Sequence, residues 1–262
     1  MRKAMFKEWY GGSCEAVENY IAHFNKIIDE NVDKNKAEEI FNLKPKALIV
    51  PHAGWVYSGF TANFAYRIVA DKAQKIAVIG PSHKFIFDGI SITLEEEYET
   101  PCGNLKIDTS LAKELIEKFD VQNLEYVHTE HSTEVQMPFI KHYFKNPQVI
   151  ELIYSNYSPF KLKEIINYLL SKNVVIIISS DLSHYYDLET AKALDANCLE
   201  AVINEETKFL KNCEACGKIG IEAIILSAKE KQLTSFIVDY RTSAEINKDT
   251  KQVVGYMSAI FI

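Results

Sequence analysis

The chain predicts an α/β fold: one three-layer domain over residues 1–262, with a central mixed, largely parallel β-sheet flanked by helices. Three observations lead there. Short aliphatic runs rich in Val and Ile are bounded by Pro, Gly or Ser, the pattern of strands buried on both faces. Helical segments alternate with these runs, which is the order that builds βαβ units. Composition agrees, because 47 % hydrophobic and 25 % charged residues are ordinary values for a globular chain long enough to bury one large core. No Pro/Gly/Ser-rich linker and no repeat of solenoid length divides the sequence.

In chain order, Ser13 caps an expected helix from about Cys14 to Ile28, whose Val17, Tyr20, Ile21, Phe24, Ile27 and Ile28 share one face. Ala47 to Val50 reads as a first buried strand, Ser58 to Ala70 as a crossover helix, and Lys75 to Gly80 as the next strand. Gly89 to Leu94 alternates like a strand, and Thr109 to Phe119 has an amphipathic helical period. Glu130 to Phe144 is expected to be helical, with Pro138 bending it or marking its effective start. A strand at Val149 to Tyr154, a helix at Pro159 to Leu170 and a central buried strand at Val174 to Ser180 follow. Helices at Asp187 to Ile203 and Gly217 to Lys231 precede closing strands at Ser235 to Tyr240 and Val253 to Phe261.

Charge and motifs narrow the function classes. A net charge of -7, with Lys and Glu interleaved, gives no basic stripe for phosphates, so no nucleic-acid partner is expected. The N-terminus lacks the apolar core of a secretory signal, and the longest apolar stretch is about half a membrane span. The expectation is a cytoplasmic protein with no membrane partner, whose five scattered cysteines are reduced thiols. A G-x-S-x-G elbow, a P-loop and a G-x-G-x-x-G are all missing.

Histidines follow three of the predicted strands. His52 comes after Pro51, His83 after Pro81-Ser82, and His184 after Ser179-Ser180-Asp181-Leu182-Ser183. In open α/β sheets ligands collect beyond the carboxyl ends of the strands, so these residues are expected to converge there. A lone histidine is more often a hydrogen-bonded structural residue than a ligand. Two of them, each held just past a proline at a strand end, point instead to a metal or acid-base site. A first-row metal would want an anionic third ligand, and Cys216, at the start of a predicted helix, is the candidate, with a buried small hydrophobe as its plain alternative. Cys213 and Cys216 also spell C-x-x-C, but no second pair completes a structural zinc site. His128, Glu130, His131 and Glu134 form a second polar cluster, either a solvated helix start or groups beside the metal water or substrate. Asp181 and His184 read either as a turn that satisfies its own backbone or as an acid-base pair at the sheet crevice, with the second favoured. His23 and His142 are expected on packing helices.

Six motifs taken together, Pro51-His52-Ala53-Gly54, Gly80-Pro81-Ser82-His83, Thr100-Pro101-Cys102-Gly103, Glu130-His131-Ser132-Thr133-Glu134, Asp181-Leu182-Ser183-His184 and Cys216-Gly217, resemble the Memo-like family in order. Trp9-Tyr10 and Val253-Val254-Gly255-Tyr256 extend the resemblance nearly end to end, while Phe6-Lys7-Glu8 departs from the family's usual small residues. The resemblance implies a fold similar to LigB-type class III extradiol dioxygenases and a 2-His-1-Cys metal site of His52, His83 and Cys216. It places His131, Asp181 and His184 around the metal, and Glu130 joins His131, Asp181 and His184 as a candidate catalytic group. It further implies functional association with AMMECR-like and radical-SAM proteins.

Three functions compete. The first is a non-haem iron protein, Fe(II) before copper, of oxidoreductase type acting on an unidentified small molecule. The second is a peptide- or partner-binding adaptor using the same cleft, with Trp55, Tyr57 and Arg241 as lining candidates and phosphotyrosine-peptide binding in eukaryotic relatives as the parallel. The third is a zinc-dependent hydrolase with Asp181 or His184 as base.

Overall fold

The computed structural model describes residues 1–262. Eleven strands form one sheet: β1 (Ala47–Val50), β2 (Lys75–Pro81), β3 (Ile90–Ile92), β4 (Glu97–Tyr98), β5 (Leu105–Ile107), β6 (Val121–Gln122), β7 (Gln148–Tyr154), β8 (Val175–Ser179), β9 (His184–Tyr186), β10 (Ser235–Thr242) and β11 (Val253–Phe261). The main path runs β10-β11-β1-β8-β2-β7-β3-β6. Its centre, β1, β8, β2 and β7, is parallel. The flanks are mixed, because β11 runs antiparallel to β1 and β10, and β3 antiparallel to β7.

Ten helices complete the chain: α1 (Cys14–Asn31), α2 (Lys34–Phe41), α3 (Trp55–Val69), α4 (Thr109–Lys118), α5 (His131–Glu134), α6 (Met137–Tyr143), α7 (Pro159–Ser171), α8 (Leu188–Ile203), α9 (Lys218–Lys231) and α10 (Ala244–Asn247). Successive side chains of a strand point to opposite faces, and the parallel strands feed two separate cores. Leu48, Val50, Ile76, Val78 and Ile177 face α1, α3 and α6. Ala47, Ile49, Ala77, Ile79, Ile176 and Ile178 face α4, α7, α8 and α9. The result is the three-layer α/β domain expected from the sequence. No helix is long and apolar enough to cross a membrane.

Two expectations need correction. The single helix over 130–144 is instead two short helices, while Pro138, expected to bend it or mark its effective start, does stand in the first turn of the second. Proline carries no N–H and suits a first turn, so the chain restarts there. The cysteines are not five reduced thiols: Cys14 is bonded to Cys102 and Cys198 to Cys213, leaving Cys216 free. The first pair is separated by 88 residues, a proximity only the tertiary fold creates.

Candidate metal centre

Strand order determines which side chains meet. β8 lies between β1 and β2, so the segments leaving these three parallel strands are neighbours at their carboxyl ends. Pro51-His52 leaves β1, Ser82-His83 leaves β2, and Ser180-Asp181 leaves β8. Two glycines let further elements approach. A Cβ on Gly217 would lie 2.5 Å from the Ser180 side chain, so glycine is what allows Cys216 to sit against β8. A Cβ on Gly80 would lie 2.7 Å from Ser132 Oγ, and its absence brings α5 and His131 up to β2.

His52, His83 and Cys216 each place a ligand atom within 4.8 Å of the others. Cys216 Sγ is 3.2 Å from His52 Nε2. The rings of His52, His83 and His131 gather with centroid separations of 4.6 to 5.5 Å.

The buried hydrogen-bond network fixes how these rings face. Ser179 donates its hydroxyl proton to the Ser132 carbonyl, and its oxygen accepts from Gln136 Nε2 at 2.9 Å. His52 Nδ1 lies 3.0 Å from that same oxygen, whose proton is already committed, so Nδ1 is the donor. The Nε2 lone pair is thereby turned to Cys216 and the cleft. Glu130, fully buried, does the equivalent for two rings: its Oε1 is 2.7 Å from His131 Nδ1 and 3.4 Å from His83 Nδ1. It also accepts the His83 amide at 2.7 Å. Imidazole oriented by a carboxylate or hydroxyl through one nitrogen presents the other as a ligand.

Electrostatics follow from this packing. Burial, reinforced by the neighbouring His83 and His131, lowers the His52 pKa well below the ordinary value, so the ring is neutral at neutral pH and fit to ligate. Burial opposes ionisation of Glu130, but hydrogen bonds from His131 and His83 outweigh it and hold the carboxyl far below the usual range. Burial and Asp181 push the Cys216 thiol up, so the helix start does not by itself make a thiolate. A bound cation would.

The remaining candidates are arranged differently from the sequence expectation. Asp181 Oδ1 accepts the amides of His52 at 2.7 Å and Ala53 at 3.3 Å, fixing the loop that carries the histidine, and burial raises its pKa. Its hydrogen bonds run to that loop and not to His184, which stands on β9 at the cleft wall. Glu130 lies behind the two rings, not beside the substrate space. Glu134 faces away from the cleft and accepts the Met5 and Phe6 amides and the Tyr10 hydroxyl. His128 is buried between Glu151 and Ser91. Trp55 is core, stacked on Phe139 with its indole N–H on the Val135 carbonyl. Arg241 covers Phe60 and pairs with Asp239, so only Tyr57 of the three proposed aromatic or cationic lining residues borders the cleft.

Sequence reasoning missed Ser179 and Gln136 as orienting groups, and Trp9, whose ring lies 4.5 Å from that of His131 at the cleft mouth. A polar residue inside an otherwise aliphatic strand end was the available signal for Ser179. The cleft itself measures about 580 Å³ and is bordered by Trp9, Tyr57, His184, Tyr185 and Tyr256 besides the central rings.

An α/β sheet with two oriented imidazoles at adjacent strand ends, met by a thiol from the start of α9, defines a class: a protein with a candidate metal centre under an aromatic-walled cleft. Residues 12–260 match the family described as Memo-like protein, and the chain belongs to that family. It is 33 % identical over 251 residues to a MEMO1 family protein of Aquifex aeolicus (strain VF5), covering 91 % of this chain and 92 % of the relative. It is 34 % identical over 252 residues to a MEMO1 family protein of Methanococcus vannielii, covering 83 % and 84 %. Among solved structures, an uncharacterized protein from Escherichia coli K12, JW3007, is similar with a TM-score of 0.52 at 13 % identity, covering 83 % of this chain and 100 % of that one. That likeness concerns the fold alone.

Proposed function

We propose that this Memo-like protein binds one transition-metal ion through His52 Nε2, His83 Nε2 and Cys216 Sγ, and works as an oxidoreductase-type metalloprotein on a small molecule in the cleft. Fe(II) is the first candidate, then copper, then zinc. The observation that carries the reading is the pre-orientation: Nδ1 of His52 is held by Ser179 at 3.0 Å and Nδ1 of His83 faces Glu130 at 3.4 Å, while a ligand atom of each ring lies within 4.8 Å of the Cys216 thiol. Two imidazoles and one thiolate suit borderline first-row metals better than Mg²⁺ or Ca²⁺. An iron ion held by these three residues would supply one-electron chemistry at the floor of the cleft. His131, whose Nδ1 lies 2.7 Å from Glu130, would take or give a proton in the cleft, and His184, which also lines it, would be a second proton carrier. Trp9 and Tyr256 add aromatic wall to the same cleft.

The breadth of the cleft and its exposed rim tyrosines, Tyr57 and Tyr185, favour a second reading in which a peptide or partner protein docks over the metal. Association with AMMECR-like and radical-SAM proteins belongs to that reading.

Elemental analysis of protein purified anaerobically, beside His52→Ala and Cys216→Ala, tests the proposal. Near-stoichiometric iron or copper, lost in both variants, is expected. Zinc in its place moves the reading to hydrolysis, and no metal after anaerobic reconstitution overturns the centre.

A further inference from the structure

We propose that Cys14, Cys102 and Glu18 form a second metal site, away from the cleft, which takes a zinc-class divalent cation once a dithiol has reduced the Cys14–Cys102 disulfide. The two sulfurs and a Glu18 oxygen lie within 4.8 Å of one another. Glu18 Oε1 is 4.0 Å from Cys102 Sγ, close to the separation that two ligands of one tetrahedral zinc adopt.

Each donor is placed by local structure. Ser13 caps α1 by accepting the Ala16 amide at 3.2 Å, so Cys14 is the first helical residue and Glu18, one turn later, shares its face. Cys102 is presented from a tight turn closed by the Gly103 amide on the Thr100 carbonyl at 3.1 Å, and Gly103 adopts φ of +105°, where a side chain would be strained. His142, from α6, has Nδ1 3.0 Å from Glu18 Oε1 and 2.9 Å from Oε2, and so holds the carboxylate by both oxygens. Three elements distant in sequence therefore deliver two sulfurs, a carboxylate and an orienting imidazole to one half-exposed spot. Nothing in the cleft chemistry accounts for it, and Cys198–Cys213, the other disulfide, has no third ligand gathered about it.

The reaction balances in two steps. The dithiol gives two electrons and two protons to the S–S bond, yielding the Cys14 and Cys102 thiols and the reductant's own disulfide. Zinc then displaces both thiol protons and bonds both sulfurs and Glu18, leaving a fourth position for water. The site thus holds α1 to the Thr100–Gly103 turn in either redox state, by a covalent bond when oxidised and by metal when reduced.

Zinc titration against a competing chromogenic chelator tests this in full-length protein carrying His52→Ala and Cys216→Ala, so that the result is independent of the cleft centre. After reduction by a phosphine, the protein should take one zinc per chain, and the oxidised protein none. Adding Cys102→Ser should abolish uptake, and Glu18→Gln, on the exposed helix face, should weaken it about tenfold or more. Cobalt in place of zinc should show a thiolate charge-transfer band that Cys102→Ser removes. Should the double variant fold poorly, the zinc gained on reduction by the natural chain and by its Cys102→Ser variant gives the same comparison. No zinc uptake on reduction, uptake that survives Cys102→Ser, or indifference to Glu18→Gln overturns the proposal.

Discussion

Two clusters of histidine around a buried glutamate adjoin α5, and they differ in what the histidines have left to bind. On the cleft side, Glu130 holds His83 and His131, and Ser179 holds His52, yet the His83 and His131 rings border open space and the far nitrogen of His52 meets only the Cys216 thiol, at 3.2 Å. In the other cluster, Glu151 accepts from Tyr98 at 3.1 Å, Thr133 at 2.6 Å and His128 at 2.7 Å, while Arg2 pairs with both Glu134 and Glu151. The second nitrogen of His128 is taken by Ser91 at 3.0 Å. Residue types are alike and each carboxylate, Glu130 or Glu151, is fully buried, so neither feature distinguishes a site from a scaffold. Ligand capacity left over after the protein has satisfied itself does.

That contrast predicts opposite responses to mutation. Glu151→Ala should produce the largest loss of stability, about 3–5 kcal/mol, because it strands the Arg2 charge and the His128 ring in the interior. Denaturant unfolding of that variant should show it, whereas His52→Ala should leave stability much less changed. The pH dependence has a definite sign. Burial opposes ionisation of Glu151, but Arg2 and His128 outweigh it and lower its pKa. Its contribution is therefore complete above the ordinary glutamate value, about 4.3, and is lost as pH falls through the lower folded value. The stability gap between the natural chain and Glu151→Gln should narrow only under acid conditions. A gap that widens there would contradict the pairing.

Both clusters carry histidine and glutamate, so the same comparison shows what the sequence could disclose. The parallel strands were legible, since Ala47–Val50, Lys75–Gly80 and Val174–Ser180 are aliphatic runs with turn formers behind them. The meeting of His52 and His83 was legible too, because strand ends in such sheets share one edge, whereas Cys216, ahead of α9, was a candidate on its chemistry alone. The division between Glu130 and Glu134 was not. Four residues apart, they look like one polar helix start, but the chain turns at Glu130, which caps α5, and sends Glu134 to the N-terminal segment. Long-range partners such as Arg2 with Glu151, or Cys14 with Cys102, leave no trace in local pattern.

Glu130 joins the two clusters, since its backbone carbonyl accepts from Arg2 at 3.2 Å while its carboxylate serves the cleft. Glu130→Gln should weaken metal binding about 10–100-fold, the range typical of groups that orient ligating histidines. Gln retains one acceptor oxygen, so the His83 amide or the His131 ring keeps a partner but not both rings. Competition titration with the proposed metal would measure this, and unchanged affinity would show that the rings are held by packing alone.

The smallest effect should come from Ser179→Ala. The hydroxyl touches no cleft space, being fully buried between His52, Gln136 and the Ser132 carbonyl. Its loss leaves the Gln136 amide short of one acceptor but keeps Gln136's bond to the Pro51 carbonyl at 2.9 Å, so the loop carrying His52 stays anchored. What disappears is the acceptor that makes Nδ1 the protonated nitrogen of His52. The neutral ring can then place its proton on either nitrogen, and the fraction with a free Nε2 falls. Metal affinity should drop about tenfold, the lower end of what an orienting partner contributes. Nitrogen-15 chemical shifts of the metal-free His52 ring report the tautomer directly: Nδ1–H in the natural chain and a mixture in Ser179→Ala. A ring that remains Nδ1–H without Ser179 would mean that Cys216, donating its thiol proton to Nε2 across 3.2 Å, sets the tautomer from the cleft side.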